Sequence, residues 1–150
     1  MVDIRPARKK DAQLVKQFVT SVMKGEGAYD PSWPDRDLDY PVAAYAEQNG
    51  AFLIAEEGGK IIGTVGFHRV NDDFAILRRF YVSPRFRGKG IGRYLLKRII
   101  AISTKKNYSA IITISEVKFE RAFKVYTQAG FIVFQSHPVA NYFVKYLAFG

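Results

Sequence analysis

The chain has 150 residues, 48% hydrophobic and 25% charged, with a net charge of +9. That length and composition describe one globular domain, residues 1–150, able to bury a core without covalent staples. The absence of cysteine excludes disulfides, thiolate metal ligands and a Cys nucleophile, and with only His68 and His137 as imidazoles no metal site is expected.

The charge is unevenly spread. Residues 25–57 carry eight acids (Glu26, Asp30, Asp35, Asp37, Asp39, Glu47, Glu56, Glu57) against Arg36 alone, while residues 58–150 carry 16 bases against four acids. Between Asp73 and Glu116 there is no acid. A basic half suits an anionic partner, and the acidic segment suits either a cationic one or an internal counter-charge. No apolar run approaches the roughly 20 residues that span a bilayer, and Met1-Val2-Asp3 does not open a signal peptide. The expectation is a cytoplasmic protein without a membrane partner.

In chain order, residues 2–5 read as a short strand ending at Pro6. Residues 8–24 read as a helix, because Ala12, Val15, Phe18 or Val19, and Val22 fall near a 3.6 spacing that Gly25 ends. Residues 25–41 hold three prolines and most of the acids and read as a loop, with a short helix over 42–48. Runs at 51–56 and 60–70 are β-rich and separated by Glu57-Gly58-Gly59, a hairpin signal. A turn at Asn71-Asp72-Asp73 leads into a strand over 74–82, completing an antiparallel meander.

From Gly90 the period changes. Ile91, Leu95, Ile99 and Ile102 keep helical spacing, with Lys89, Arg93, Lys97 and Arg98 largely off that stripe. Residues 110–115 form a continuous apolar run, as a central strand does. Ala122, Val125, Tyr126 and Ala129 mark a short helix ended by Gly130, and strands follow over 131–135 and 142–147. The order β-α-α-β-β-β-α-β-α-β-β predicts an α/β (α+β) chain, a mixed sheet flanked by helices.

The chemistry concentrates at Arg87-Gly88-Lys89-Gly90-Ile91-Gly92, which joins the 74–82 strand to the next helix. Backbone N–H groups are unpaired at a helix start, the helix dipole is positive there, and glycines let an anion reach the main chain. A phosphate-binding turn is expected. It is not a P-loop, since no Gly-Lys-Ser/Thr string follows at the required distance. Nor is it a dinucleotide fingerprint: the glycines run G-x-G-x-G, and Glu116 is the only acid at a comparable distance downstream.

Arg87-x-x-Gly90-x-Gly92 after Phe80-Tyr81-Val82, with Tyr126-x-x-x-Gly130-Phe131 further on, resembles the GNAT superfamily of acyl-CoA-dependent N-acyltransferases. The element order resembles that family from Ile4 to about Leu147. The resemblance implies a largely antiparallel sheet of six to seven strands with about four helices. It implies acetyl-CoA as cosubstrate, with its pyrophosphate on the turn from Phe86 through Arg87, Gly88, Lys89, Gly90 and Ile91 to Gly92. The pantetheine arm would pair like an added strand along Phe80, Tyr81 and Val82. The Val82 N–H would donate to the oxyanion, and Tyr126 would act toward the departing sulfur. A phenol near pKa 10 is a weaker acid than a thiol near 8.5, which suits Tyr126 to hydrogen-bond donation.

Two positions depart from the family pattern. Ile76 stands near the place of a strand Glu that serves as base, and Phe119 stands at the place of an Asn. Asp72, Asp73, His68, Glu116 or water are the remaining candidates for the base. The acidic loop, with Tyr29, Trp33, Asp35, Asp37 and Tyr40, lies where the family covers its acceptor, and its charge and aromatic faces suit an amine. The expected activity is acetyl transfer to a primary amine of a small molecule, by direct attack through a tetrahedral intermediate. Alternatives are a protein N-terminal or lysine acetyltransferase and a non-catalytic acyl-CoA-binding regulatory domain. No string of a nucleic-acid reader is present, and a monomer or homodimer is expected.

Overall fold

The computed structural model describes residues 1–147. Seven strands form one sheet among these residues: β1 (Asp3–Pro6), β2 (Ala51–Glu57), β3 (Lys60–Arg69), β4 (Phe74–Val82), β5 (Ala110–Glu116), β6 (Ile132–Ser136) and β7 (Ala140–Tyr146). Their order is β1-β2-β3-β4-β5-β7-β6. Only β4 and β5 run parallel; the other neighbours are antiparallel. The four helices are α1 (Ala12–Gly25), α2 (Pro41–Ala46), α3 (Ile91–Lys105) and α4 (Glu120–Gln128). The mixed, largely antiparallel sheet and its helices match the expected architecture. No helix of the described residues is long and apolar enough to cross a membrane.

Helices cover both faces of the sheet. On one, α3 sets Ile91, Leu95, Leu96 and Ile99 against Leu53, Val65, Phe67, Ala75, Leu77 and Ile111. On the other, Val15 and Val19 of α1 and Tyr45 of α2 pack on Phe52 and Ile54. At roughly 25 cal/mol per Å² of apolar surface, these two layers are the main favourable contribution to folding.

Two local details differ from the sequence expectation. The first helix does not start at Arg8: residues Lys9–Asp11 form a 3-10 turn before α1. Asp11 holds that turn, its carboxylate accepting the Arg8 N–H at 2.7 Å and two Arg5 guanidinium bonds at 2.8 and 3.1 Å. The acidic loop is also not all loop. Arg36–Leu38 form a 3-10 turn whose Leu38 is fully buried, an anchor that a polar, proline-rich segment conceals.

Asp11 gives the fold a pH dependence. The Arg5 bonds hold its carboxyl below the ordinary carboxylate range, against the opposing effect of burial. A depressed carboxyl contributes stability that is complete above the unfolded value near 3.9 and is lost as pH falls through the folded one. Asp11→Asn is expected to cost about 2 kcal/mol at pH 7, read from urea unfolding, with the difference from wild type shrinking as pH falls below about 4.

Candidate active site

The site begins with an irregularity in β4. Against β3, Gly66 pairs with Arg78 and Thr64 with Tyr81, so Arg79 and Phe80 together face Val65 alone. This is a β-bulge, and Arg79 takes a φ of 55°, in the left-handed region that side chains avoid. The extra residue shifts the strand's alternation by one position. Leu77 packs on the α3 side, as do Phe80 and Val82 beyond the bulge, while Tyr81 packs on the α1 and α2 side.

Arg79 is held tightly on that second side. Its guanidinium donates to Asp37 at 2.7 and 2.9 Å and to Asp35 at 2.9 Å, and its carbonyl accepts the Thr64 hydroxyl at 2.8 Å. Asp37 also accepts the Tyr45 hydroxyl at 2.8 Å. Burial alone would raise the Asp37 carboxyl, but the Arg79 bonds and charge outweigh it and hold that group below its ordinary range. Burial, reinforced by the Asp37 charge, raises the Tyr45 phenol.

Past Ile76 and Ile112, β4 and β5 stop pairing; the Thr113 hydroxyl on the Leu77 carbonyl at 3.5 Å is their last link. One edge of β4 is thereby open to a groove of about 1910 Å3. The Ser83 N–H is taken by the Ile62 carbonyl of β3. Since successive N–H groups of a strand point to opposite sides, the Val82 N–H faces the groove. The groove is walled by Phe80, Val82, Gly90 and Gly92 on one side and by Thr113, Ser115 and Tyr126 on the other.

The turn that follows β4 could hold an anion. Gly88 and Gly90 adopt φ of 79° and 83°, and Gly90 caps α3. A Cβ on Gly92 would meet the Phe80 ring at 3.1 Å, so a larger residue there would press α3 and the ring apart by a few tenths of an ångström. Among the described residues, the backbone N–H groups from Arg87 to Arg93 donate no hydrogen bond within the protein. A run of free N–H groups at the positive end of a helix suits a pyrophosphate. Arg87 itself is tied to Glu26 and to the Val82 carbonyl, and Lys89 lies 5.1 Å from the Phe86 ring centroid.

Tyr126 lines the groove at only 6% exposure, enclosed by Phe80, Phe131 and Phe143. Burial pushes its phenol well above the usual value, opposed in part by the nearby Thr113 hydroxyl. It is therefore a neutral O–H donor at any ordinary pH. Ile76, at the position expected for a base, also lines the groove. Of the other candidates, Glu116 lines the groove paired with Lys118, while Asp72 is exposed and paired with Arg69. His68 opens instead on a smaller pocket beside Tyr45.

The acidic loop is where structure and sequence reading part. Asp35 and Asp37, the residues expected to face an amine, both bond the one guanidinium of Arg79, and Asp37 also lines the smaller pocket. Tyr29 and Trp33 line neither cavity; Trp33 is 71% exposed, and Tyr29 lies under the Lys24 ammonium at 4.8 Å. Sequence reading passed over Arg79 altogether. The signal was present: two adjacent arginines inside an apolar strand break the alternation that a regular strand keeps.

A strand edge splayed open beside a glycine-rich helix start can pair with an extended chain and hold an anion at its end. Residues 20–131 match the model of the Acetyltransferase (GNAT) family, and the chain belongs to that family. N-acetylaspartate synthetase of Danio rerio is 35% identical over 91 residues, 59% of this chain and 32% of that protein, so the chain spans about a third of this relative's length. A GNAT-family acetyltransferase structure from Staphylococcus aureus Mu50 superposes with a TM-score of 0.86 at 23% identity, covering 99% of this chain and 100% of its own. The PaiA N-acetyltransferase of Thermoplasma acidophilum, solved in complex with coenzyme A, superposes with a TM-score of 0.81 at 21% identity, covering 97% and 99%.

The Arg79 network is expected to be worth more through Asp37 than through Asp35, since Asp37 makes three of its bonds. Asp37→Asn should cost about 2 to 3 kcal/mol in urea unfolding, and Asp35→Asn about half of that. Equal losses from the two variants would contradict this ranking.

Proposed function

We propose that the protein transfers an acetyl group from acetyl-CoA to a primary amine of a small molecule. The observation that carries this reading is the continuous surface formed by the open β4 edge, the free N–H groups of Arg87 to Arg93, and the buried Tyr126 phenol. Coenzyme A in the Thermoplasma neighbour and the small-molecule product named in N-acetylaspartate synthetase support it. When bound, acetyl-CoA supplies a thioester-activated acetyl group.

In this reading the N–H groups of the turn hold the pyrophosphate, and the exposed β4 edge pairs with the amides of the pantetheine arm. The Val82 N–H, directed into the groove, stabilises negative charge on the acetyl oxygen as the amine nitrogen bonds to the carbonyl carbon. The carbon–sulfur bond then breaks, and the sulfur leaves as a thiolate that accepts a hydrogen bond from Tyr126. The proton lost by the attacking nitrogen passes to water, because no carboxylate stands on β4 to take it. Hydrogen-bond donation is the role that suits a phenol whose pKa burial has raised.

Thiol release from acetyl-CoA across a panel of amines, amino acids and peptides tests the reading. Turnover on small amines or amino acids in preference to peptides is expected. Coenzyme A binding without turnover on any acceptor would leave a non-catalytic acyl-CoA-binding domain instead. Tyr126→Phe should lower kcat at least about tenfold with little change in coenzyme A affinity. The sign of the pH dependence also follows. Since burial raises Tyr126 above the reference value near 10, the donor stays protonated, and kcat/KM should rise with pH as the acceptor ammonium deprotonates, without a falling limb below about pH 10.

A further inference from the structure

The groove and the smaller pocket meet at Arg78, which lines both. The bulge places Arg78 and Arg79 next to each other at the acceptor end, but their circumstances are opposite. Arg79 is buried among Asp35, Asp37 and the Thr64 hydroxyl bonded to its carbonyl. Arg78 is exposed, and among the described residues its guanidinium has no ion pair and no hydrogen bond. Arg36, on the facing wall of the pocket, is likewise exposed and without an ion-pair partner among the described residues.

The pocket holds about 320 Å3, the small end of the range for ligand sites. Arg36, Asp37, Tyr45, Gln48, His68 and Arg78 line it. Asp37 is the one acid in that set, and it shares the single positive charge of Arg79 with Asp35. What the pocket presents to an incoming molecule is the exposed guanidiniums of Arg78 and Arg36, and with Arg79 these three bases outnumber Asp35 and Asp37 by one charge. That surface repels a second ammonium and attracts an anion. The planar fork of an arginine matches the planar pair of oxygens of a carboxylate.

Resting on the acetyl-transfer reading above, we propose that the acceptor is an amine that also carries a carboxylate, as an amino acid does, and that Arg78 holds this carboxylate while the amine enters the groove. Arg36 adds a second positive charge from the loop. The placement gives Asp35 and Asp37 a structural role: they fix Arg79 and thereby the bulge that presents Arg78. The same charges discriminate against polyamines.

The test measures kcat/KM by thiol release for α-amino acids, each paired with its own carboxamide and its decarboxylated amine, with spermidine alongside. The carboxylate-bearing member of each pair is expected to be at least about tenfold better. Arg78→Gln should narrow that ratio by about tenfold, mainly through KM, and Arg78→Lys should retain part of it. Thermal unfolding and coenzyme A affinity should stay at the wild-type level in both variants, since Arg78 is exposed and unpaired. Equal or better turnover of the carboxamides or spermidine would overturn this inference while leaving acetyl transfer standing. So would an Arg78→Gln variant that lowers both members of a pair by the same factor. Coenzyme A binding without turnover on either member would overturn the acetyl-transfer reading, and this one with it.

Discussion

The arrangement depends on one strained residue and the two carboxylates that hold it. A left-handed conformation at a non-glycine residue costs about 1–2 kcal/mol, and a half-buried strand does not accept a guanidinium unless it is paired. Arg79 meets both costs at once, since Asp35 and Asp37 neutralise its charge and Thr64 bonds its carbonyl. The bulge then has three consequences. It shifts β4 by one position so that Phe80 and Val82 face α3, it coincides with the end of β4–β5 pairing, and it leaves Arg78 free at the end of the groove.

The same pairing explains the charge partition along the chain. Acids of the 25–57 segment are committed to bases elsewhere: Glu26 to Arg87, Asp35 and Asp37 to Arg79, Asp39 to Lys16, and Glu56 to Arg5. The segment is an internal counter-charge more than a cation-binding surface. Two of these links hold β4 and the turn that follows it, so the loop and that turn are fastened to one another. Exposed pairs such as Lys16 with Asp39 add little stability. The Arg79 cluster is different because solvent is largely excluded from it.

The element order was legible because it rests on local signals: helical spacing in α3, glycines at the hairpin, and proline at the start of α2. The glycine-rich turn was legible for the same reason, since the free N–H groups and the positive φ at Gly88 and Gly90 are properties of a few adjacent residues. The burial of Tyr126 under Phe80, Phe131 and Phe143 was not, although its motif pointed to the residue. The roles of Asp35 and Asp37 could not be read from their neighbourhood. Their partner is more than 40 positions away, and only the tertiary fold decides whether a carboxylate meets a substrate or an arginine. Leu38 shows the converse, one apolar residue among acids and prolines that the fold buries completely.

The absence of a carboxylate at Ile76 takes its meaning from the charges around it. A strand carboxylate would draw an ammonium into the groove and hold its proton close to the reacting centre. Here Asp35 and Asp37 are held by Arg79, and Arg78 adds a second positive charge where the groove meets the smaller pocket. A positive neighbour favours the neutral form of an amine, lowering its pKa by the mechanism through which like charges shift one another. In the acetyl transfer proposed above, water is then the acceptor of the proton, and binding comes from some other part of the acceptor molecule. An apolar Ile76 and a free Arg78 are thus two parts of one arrangement in the proposed reading: the first withholds a base from the amine, and the second makes its ammonium a stronger acid.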